Sequence, residues 1–572
     1  MIARTKTTWA YAAVIVLGVG LAVPGLGKVS YTQNDEVTYF LMASSLSLLL
    51  DWGWDNRTTL AEGTADVEGL RQRYENEGLK FVLPYYSKPL FDLIYWLAMV
   101  FFGVSQRAIL FANLLFFALA IWWMARVGES LFGTTVGFFA ALFLATSGSA
   151  LVYTRTGMSH MASLALFLLG AYQYLRLSRD MGPGQALRLC VPGAIWAMSL
   201  AVHPNLVPFV GLCGCAELLR SWRLLGYGAA LRRALCLSAG ALVVGLCIEA
   251  VYRLIGLIFS DTFAGAAAWQ QVPFRTYAEQ LALHAGAVID GEVSLLHKVY
   301  TYLLLFWAHE GFVVAALIGL LTVHCFRRLD DYKTLFVIAL FWIPLIFFLI
   351  SRNQAVFRYA AGIVLPASLL AAIALERILL VYSMRWSWSQ GRALRWAVFA
   401  IVVVNFAHIR PIYGVESAWM STAEWLRVQD ENQIIAASGG SLWTINGIEN
   451  VSQLNGIEGV RYLAMNKRYE KEWELAVLQQ CCHGAQPVFT APHWRPDKLL
   501  EIEFLEQNLL LDGLEMLPRI GDFIAEQRDE AIKMNRLHFL EIYDLLGMNR
   551  ASDEVSKRDS SIGPVEEIKR LG

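Results

Sequence analysis

The chain of 572 residues is short of charge. Only 17% of its residues are Asp, Glu, Lys or Arg, while 56% are hydrophobic and 13% aromatic. A soluble globular protein carries about 25% charged residues, so the shortage excludes an ordinary cytosolic enzyme. It also excludes a disordered chain, which needs low hydrophobicity and high net charge. No basic tract is present. The 47 Lys and Arg residues stand against 48 Asp and Glu, a net charge of −1, and no nucleic-acid partner is expected. Cysteine is sparse and unpatterned. Of the eight, Cys190, Cys213, Cys215, Cys236, Cys247 and Cys325 fall in or beside apolar runs, where a thiol packs as a small hydrophobe. Cys481 and Cys482 are adjacent, and neighbours in sequence seldom meet disulfide geometry. Neither a disulfide framework nor a metal-ligand set follows, and no cofactor is implied.

What the chain does have is long apolar runs. Measured against the roughly 20 residues that a helix needs to cross a bilayer, eleven qualify: 9–27, 106–126, 134–152, 160–177, 188–203, 204–221, 234–257, 300–323, 334–350, 360–380 and 395–410. The fifth and sixth are short and meet at His203-Pro204. Basic residues sort the loops between runs into two sets. One set holds Arg126, Arg176, Arg220, Arg232, Arg233, Arg327, Arg328, Lys333, Arg377 and Arg392, and shares its side with Arg4 and Lys6. That places the N-terminus in the cytoplasm. Eleven crossings then put the C-terminus outside, together with a long acidic loop over about 28–105. The first run lacks a small-residue cleavage site and reads as a retained anchor.

From about 411 the composition changes. Helix-like 420–430 is followed by strand-like Ile434-Ile435-Ala436-Ala437, then by Val460–Met465, and helix-like 469–480 by Pro487–Thr490. This alternation predicts an α/β domain over 411–549, with a polar flexible tail at 550–572. The fold class expected is a polytopic α-helical membrane protein with a C-terminal extracytoplasmic α/β domain.

Chemistry is sought where charge is held against apolar cost. Asp35-Glu36 follows the first run. Two readings stand: an interfacial acidic pair that caps the next helix, or a carboxylate acting as general base toward a hydroxyl or amine. Lys88 heads the apolar run 90–104, either snorkelling to lipid headgroups or holding a phosphate as a point charge. Arg352 and Arg358 stand in the very short outer loop 351–359, against the positive-inside trend. They are interfacial anchors or a two-pronged phosphate grip. Arg155 and His160 mark the second outer loop, and His309-Glu310 opens the eighth run. No internal repeat is found.

The order of these elements resembles the GT-C membrane glycosyltransferases, in the branch of the protein O-mannosyltransferases and the lipid A aminoarabinose transferase. The motifs that carry the resemblance are Asp35-Glu36-Val37-Thr38-Tyr39, Ser87-Lys88-Pro89-Leu90, Gly103-Val104-Ser105, Leu131-Phe132-Gly133, Leu144-Ala145-Thr146-Ser147, and Arg358-Tyr359 with Pro366. They span roughly the first 410 residues, which the resemblance implies are a transmembrane catalytic domain. The chain departs from that branch at Thr38, where arginine is frequent, at His160, where aspartate is frequent, and at His203-Pro204, where lysine-glycine is frequent.

The resemblance implies a polyprenyl-phosphate-sugar donor, a glycan, lipid or protein acceptor, and membrane lipids as surroundings. Asp35 would be the base for in-line, inverting attack. Lys88, Arg352 and Arg358 would stabilise the leaving lipid phosphate. Glu36, Arg155, His160 and Tyr359 would orient donor or acceptor. No metal is required, because the donor already carries an activated leaving group. Length and lack of disulfides point to a bacterial inner membrane. A transporter or flippase of a lipid-linked substrate is the alternative, and predicts repeat symmetry with broken helices in matching halves. A sensor or scaffold reading leaves the outer cations unexplained.

Overall fold

In hydrocarbon a backbone must satisfy its own N–H and C=O groups, so apolar runs of this length become helices. The computed structural model describes residues 2–26, 39–44, 88–178, 183–263, 295–326, 331–351, 357–386, 390–414, 417–429, 433–436, 450–452, 461–466, 486–492, 521–536 and 539–544, with a few single positions between them. The first part is helical: α1 (Ile2–Ala22), α2 (Pro89–Phe102), α3 (Gln106–Phe132), α4 (Thr134–Ala145), α5 (Gly148–Thr154), α6 (His160–Leu177), α7 (Cys190–Val202), α8 (Val207–Leu225), α9 (Tyr227–Phe263), α10 (Leu295–Phe326), α11 (Tyr332–Ser351), α12 (Val364–Trp386) and α13 (Gln390–Ile409). Among the described residues five helical stretches are long and apolar enough to cross a membrane, or six if the bent pair α4–α5 is one span. The protein is a multi-pass membrane protein.

Several expected runs are not continuous helices. The run 134–152 breaks at Thr146-Ser147, where α4 and α5 meet at 56°. Two side chains make the break: Thr146 Oγ1 donates back to Leu142 O at 2.9 Å, and Ser147 Oγ accepts from Ala150 N at 3.1 Å, capping α5. The run 300–323 kinks at Gly311, whose φ is +80°. Between α7 and α8, His203 is extended and Pro204–Leu206 forms a 3-10 turn. Gly133 ends α3 and starts α4 with φ +106°. Only glycine adopts such a backbone readily, so the reversal is a single residue.

The helices define two ends. Lys88 and the loop 155–159 lie at one end, the α3–α4 reversal at the other. Lys333 Nζ, at the head of α11, donates to Leu131 O at 3.0 Å, so the α10–α11 connection shares the reversal's end. A buried ion pair also stands at that far end. Glu217 and Arg233 meet at 2.5 Å with exposures of 0% and 3%. Ser221 Oγ donates to the same carboxylate at 2.6 Å, as does the hydroxyl of Tyr174. The pair fastens α6, α8 and α9.

Beyond α13, helix α14 (Ala418–Val428) packs on a five-stranded sheet. Its strands are β1 (Gln433–Ala436), β2 (Asn450–Ser452), β3 (Tyr462–Asn466), β4 (Phe489–Pro492) and β5 (Phe539–Asp544), in the order β2-β1-β3-β5-β4. β1 is parallel to both β2 and β3, and β5 antiparallel to β3 and β4. Trp425 of α14 stacks on Phe489 with ring centroids 5.2 Å apart, and helix α15 (Gly521–Arg536) precedes β5.

The main core wraps α3 and α4, whose backbones touch. A Cβ on Gly137 would lie 2.5 Å from Ala125 O and 2.7 Å from Glu129 N, and one on Gly128 would lie 2.8 Å from Gly137 Cα. Backbone atoms cannot yield as a side chain can. Gly137→Leu is expected to destabilise the protein by about 3 kcal/mol, read as a lower unfolding temperature in detergent, whereas Gly214→Ala, in open space, leaves it unchanged.

Candidate active site

Helix α2 has 14 residues, too few to cross hydrocarbon, and it seats the first site residue. Lys88 is its N-cap and Pro89 its first residue, a place where the missing proline N–H costs nothing. The Lys88 side chain is buried at 8% exposure. Its ammonium donates to the hydroxyl of Tyr39 and lies 4.4 Å from that ring's centroid. Tyr39 opens the helical stretch 39–44, four residues after Asp35. Phe91 meets Tyr39 edge-on at 5.2 Å, so aromatic packing fixes the lysine head against the first-loop segment.

Asp92 lies one turn beyond Lys88 on the same helix face. It is 1% exposed, and neither carboxyl oxygen has a hydrogen-bond partner. Burial holds this carboxyl well above the usual carboxylate range, with the charge of Lys88 pulling the other way. Further along α2, Tyr95 accepts from Asn113 Nδ2 at 3.2 Å. The same amide donates to Thr156 O at 2.6 Å and Met158 O at 3.2 Å. Asn113 therefore clamps α2 and the loop after α5 onto α3.

That loop carries two of the expected site residues. Arg155 is fully buried. Its guanidinium donates to Ala22 O at 3.3 Å, to Pro24 O, and to Ile412 O at 3.5 Å, and faces the Tyr413 ring at 5.1 Å. Gly25, with φ +68°, turns the chain after Pro24. These contacts make Arg155 the fastener of three chain segments. His160 begins α6 and is 3% exposed. It stacks on Tyr153 with centroids 4.3 Å apart and faces His203 at the same separation. The two histidines that depart from the GT-C pattern are thus in contact.

Asp35, Glu36 and Arg352 lie outside the described residues. Arg358 and Tyr359 fall in the 3-10 turn Phe357–Ile363, but their side chains lie outside what is described. The structure brings Lys88 to the segment that follows Asp35-Glu36, and His160 to His203. Asp92, Tyr95 and Asn113 were missed by sequence reasoning. For Asp92 a signal existed: an acid four residues after a lysine, inside an otherwise apolar helix. A second polar group sits at the α4–α5 break, where Ser147 Oγ donates to Glu310 Oε1 at 3.0 Å and Asn405 Nδ2 to Thr146 Oγ1 at 2.7 Å. Among the described residues no cluster of three or more His, Cys, Asp or Glu is placed to hold a metal.

Two outcomes follow from this geometry. Arg155→Met strands three carbonyls on two segments and is expected to cost on the order of 3 kcal/mol, seen as a lower unfolding temperature. Arg155→Lys, with one compact ammonium, recovers only part of it. For Asp92 the folded pKa is raised, so its neutral form is stable below the unfolded value of about 3.9 and stability is lost as pH climbs through the folded value. Asp92→Asn removes that slope. Its unfolding temperature should gain on the wild type's as pH rises from 4.5 to 8; parallel curves for the two proteins would refute the assignment.

No family model matches the chain, and no curated protein matches it. Among solved structures it is similar to the Archaeoglobus fulgidus oligosaccharyltransferase in the apo form, at 13% identity and a TM-score of 0.44, over 82% of this chain and 71% of that one. It is similar also to ArnT from Cupriavidus metallidurans bound to undecaprenyl phosphate, at 13% identity and a TM-score of 0.44, over 78% of this chain and 75% of that one. A third likeness is to the archaeal oligosaccharyltransferase AglB from Archaeoglobus fulgidus in complex with an inhibitory peptide and a dolichol-phosphate, at 13% identity and a TM-score of 0.43, over 83% and 70%. These solved structures are glycosyltransferases of the GT-C group.

Proposed function

We propose that the chain is an integral membrane glycosyltransferase. It moves a sugar from a polyprenyl-phosphate donor to an extracytoplasmic lipid, polysaccharide or protein acceptor, by in-line displacement that inverts the anomeric carbon. One observation carries this reading: a buried ammonium, Lys88, is held by Tyr39 against the segment that follows Asp35-Glu36. An aromatic-walled cation held at the segment that follows Asp35-Glu36 in the sequence suits a phosphate leaving group and an acceptor that must lose a proton.

In this mechanism Asp35 takes the acceptor proton as the acceptor oxygen or nitrogen attacks, and Glu36 orients the acceptor. Lys88, with Arg352 and Arg358, neutralises the lipid phosphate as it departs; stabilisation of that charge replaces protonation. His160 and Tyr359 orient the substrate, and Arg155 sets the position of the loop that bears His160. Residues 1–410 form the eleven-span catalytic body, 411–549 an α/β domain outside the membrane, and 550–572 a tail. The N-terminus is cytoplasmic, and the membrane is the inner membrane of a bacterium.

Membranes carrying the chain, supplied with labelled polyprenyl-phosphate sugars, test the roles. Asp35→Asn should lower transfer by about 100-fold or more while the protein still inserts and unfolds at the wild-type temperature. Lys88→Met should weaken donor binding as well as turnover. Unchanged transfer in a well-folded Asp35→Asn protein would end the mechanism, and lipid movement across vesicles without transfer would favour a flippase.

A further inference from the structure

Two cysteines that read in the sequence as isolated small hydrophobes are neighbours in space. Cys190 is the first residue of α7 and Cys236 lies in α9. Helices α7 and α9 approach until their backbones touch. A Cβ on Gly240 would fall 1.9 Å from Cys190 O, and one on Gly193 would fall 2.0 Å from Leu237 O. Cys236 stands one turn before Gly240, and a helical side chain leans toward its own N-terminus. The two thiols therefore lean the same way into the seam. Both are partly exposed and unoxidised, and both line a groove of about 380 Å³ that Arg232 also edges.

We propose that Cys190 and Cys236 form a redox-active dithiol site whose ligand class is a small anionic disulfide, such as glutathione disulfide, and whose product is a disulfide joining α7 to α9. One protein thiolate attacks a sulfur of the small disulfide, which releases one glutathione and leaves a mixed disulfide. The second protein thiolate then attacks the protein-side sulfur and releases the other glutathione. Two protein S–H bonds and one glutathione S–S bond become one protein S–S bond and two glutathione S–H bonds, so the electrons balance without another oxidant. Helices held this close by glycine suit the 4.4–6.8 Å Cα separation that a disulfide usually needs. Arg232 gives the groove a positive edge for the carboxylates of glutathione.

The experiment uses the full chain in detergent, incubated with glutathione disulfide or with buffer, then alkylated, digested and weighed. Alkylation of Cys190 and of Cys236 should fall together, at least tenfold, and a peptide pair linked through them should appear and vanish on reduction. A Cys215→Ser/Cys247→Ser double variant, which removes the two thiols exposed among the described residues, should form the same link. Cys236→Ser should instead accumulate a glutathione adduct on Cys190. Undiminished alkylation of both thiols in the wild type would overturn the proposal, and so would a linked peptide that survives Cys236→Ser. The wild-type measurement decides even if a variant fails to fold.

Discussion

A guanidinium buried where water cannot reach must find its acceptors in the protein, and backbone carbonyls are free only where helices end. Arg155 imposes that condition on the end of the bundle where Lys88 sits. Its acceptors are Ala22 O at the last residue of α1, Pro24 O just beyond it, and Ile412 O after α13. Three chain segments must therefore stop being regular helix at one level. Tyr413, whose ring faces the guanidinium, returns its hydroxyl to Leu21 O at 2.8 Å, which closes the ring of contacts. The first loop leaves α1 and the C-terminal region leaves α13 from this one fastening.

The two ends of the bundle treat charge differently. At the far end Glu217 and Arg233 neutralise each other, and Ser221 and Tyr174 also donate to the carboxylate, an arrangement that holds helices together. Near Lys88 the economy is looser. Asp92 is buried without a hydrogen bond, and His160 and His203 face each other. Polar groups held at a cost gather at functional sites, and this is the end where the motif residues lie.

Much of the helical part was legible because hydrophobic length is a strong signal. α3, α11 and α12 lie close to the expected runs at 106–126, 334–350 and 360–380. Breaks inside runs were not legible. Thr146-Ser147 sits between apolar segments, and its contacts with Glu310 and Asn405 are ones that periodicity cannot bring near. For the site, the ordered motifs singled out Lys88 and His160, but not what they touch. Asn113 escaped notice because one amide in an apolar helix carries no spacing signal; only the fold shows it meeting Tyr95 and the carbonyls of Thr156 and Met158. Arg155 had the residue type of a ligand-orienting cation, and its burial among carbonyls follows from helix ends converging in three dimensions.

The bend between α4 and α5 also bears on how the chain is made. Its polar groups are satisfied by residues synthesised much later: Ser147 by Glu310, 163 residues on, and Thr146 by Asn405, 259 residues on. A ribosome that has delivered only the first few helices has made a bend whose local bonds are in place but whose distant partners do not yet exist. The contacts at the bend are complete only when α10 and α13 arrive. A truncation that removes α13 therefore strips a contact from a bend 259 residues away in the sequence.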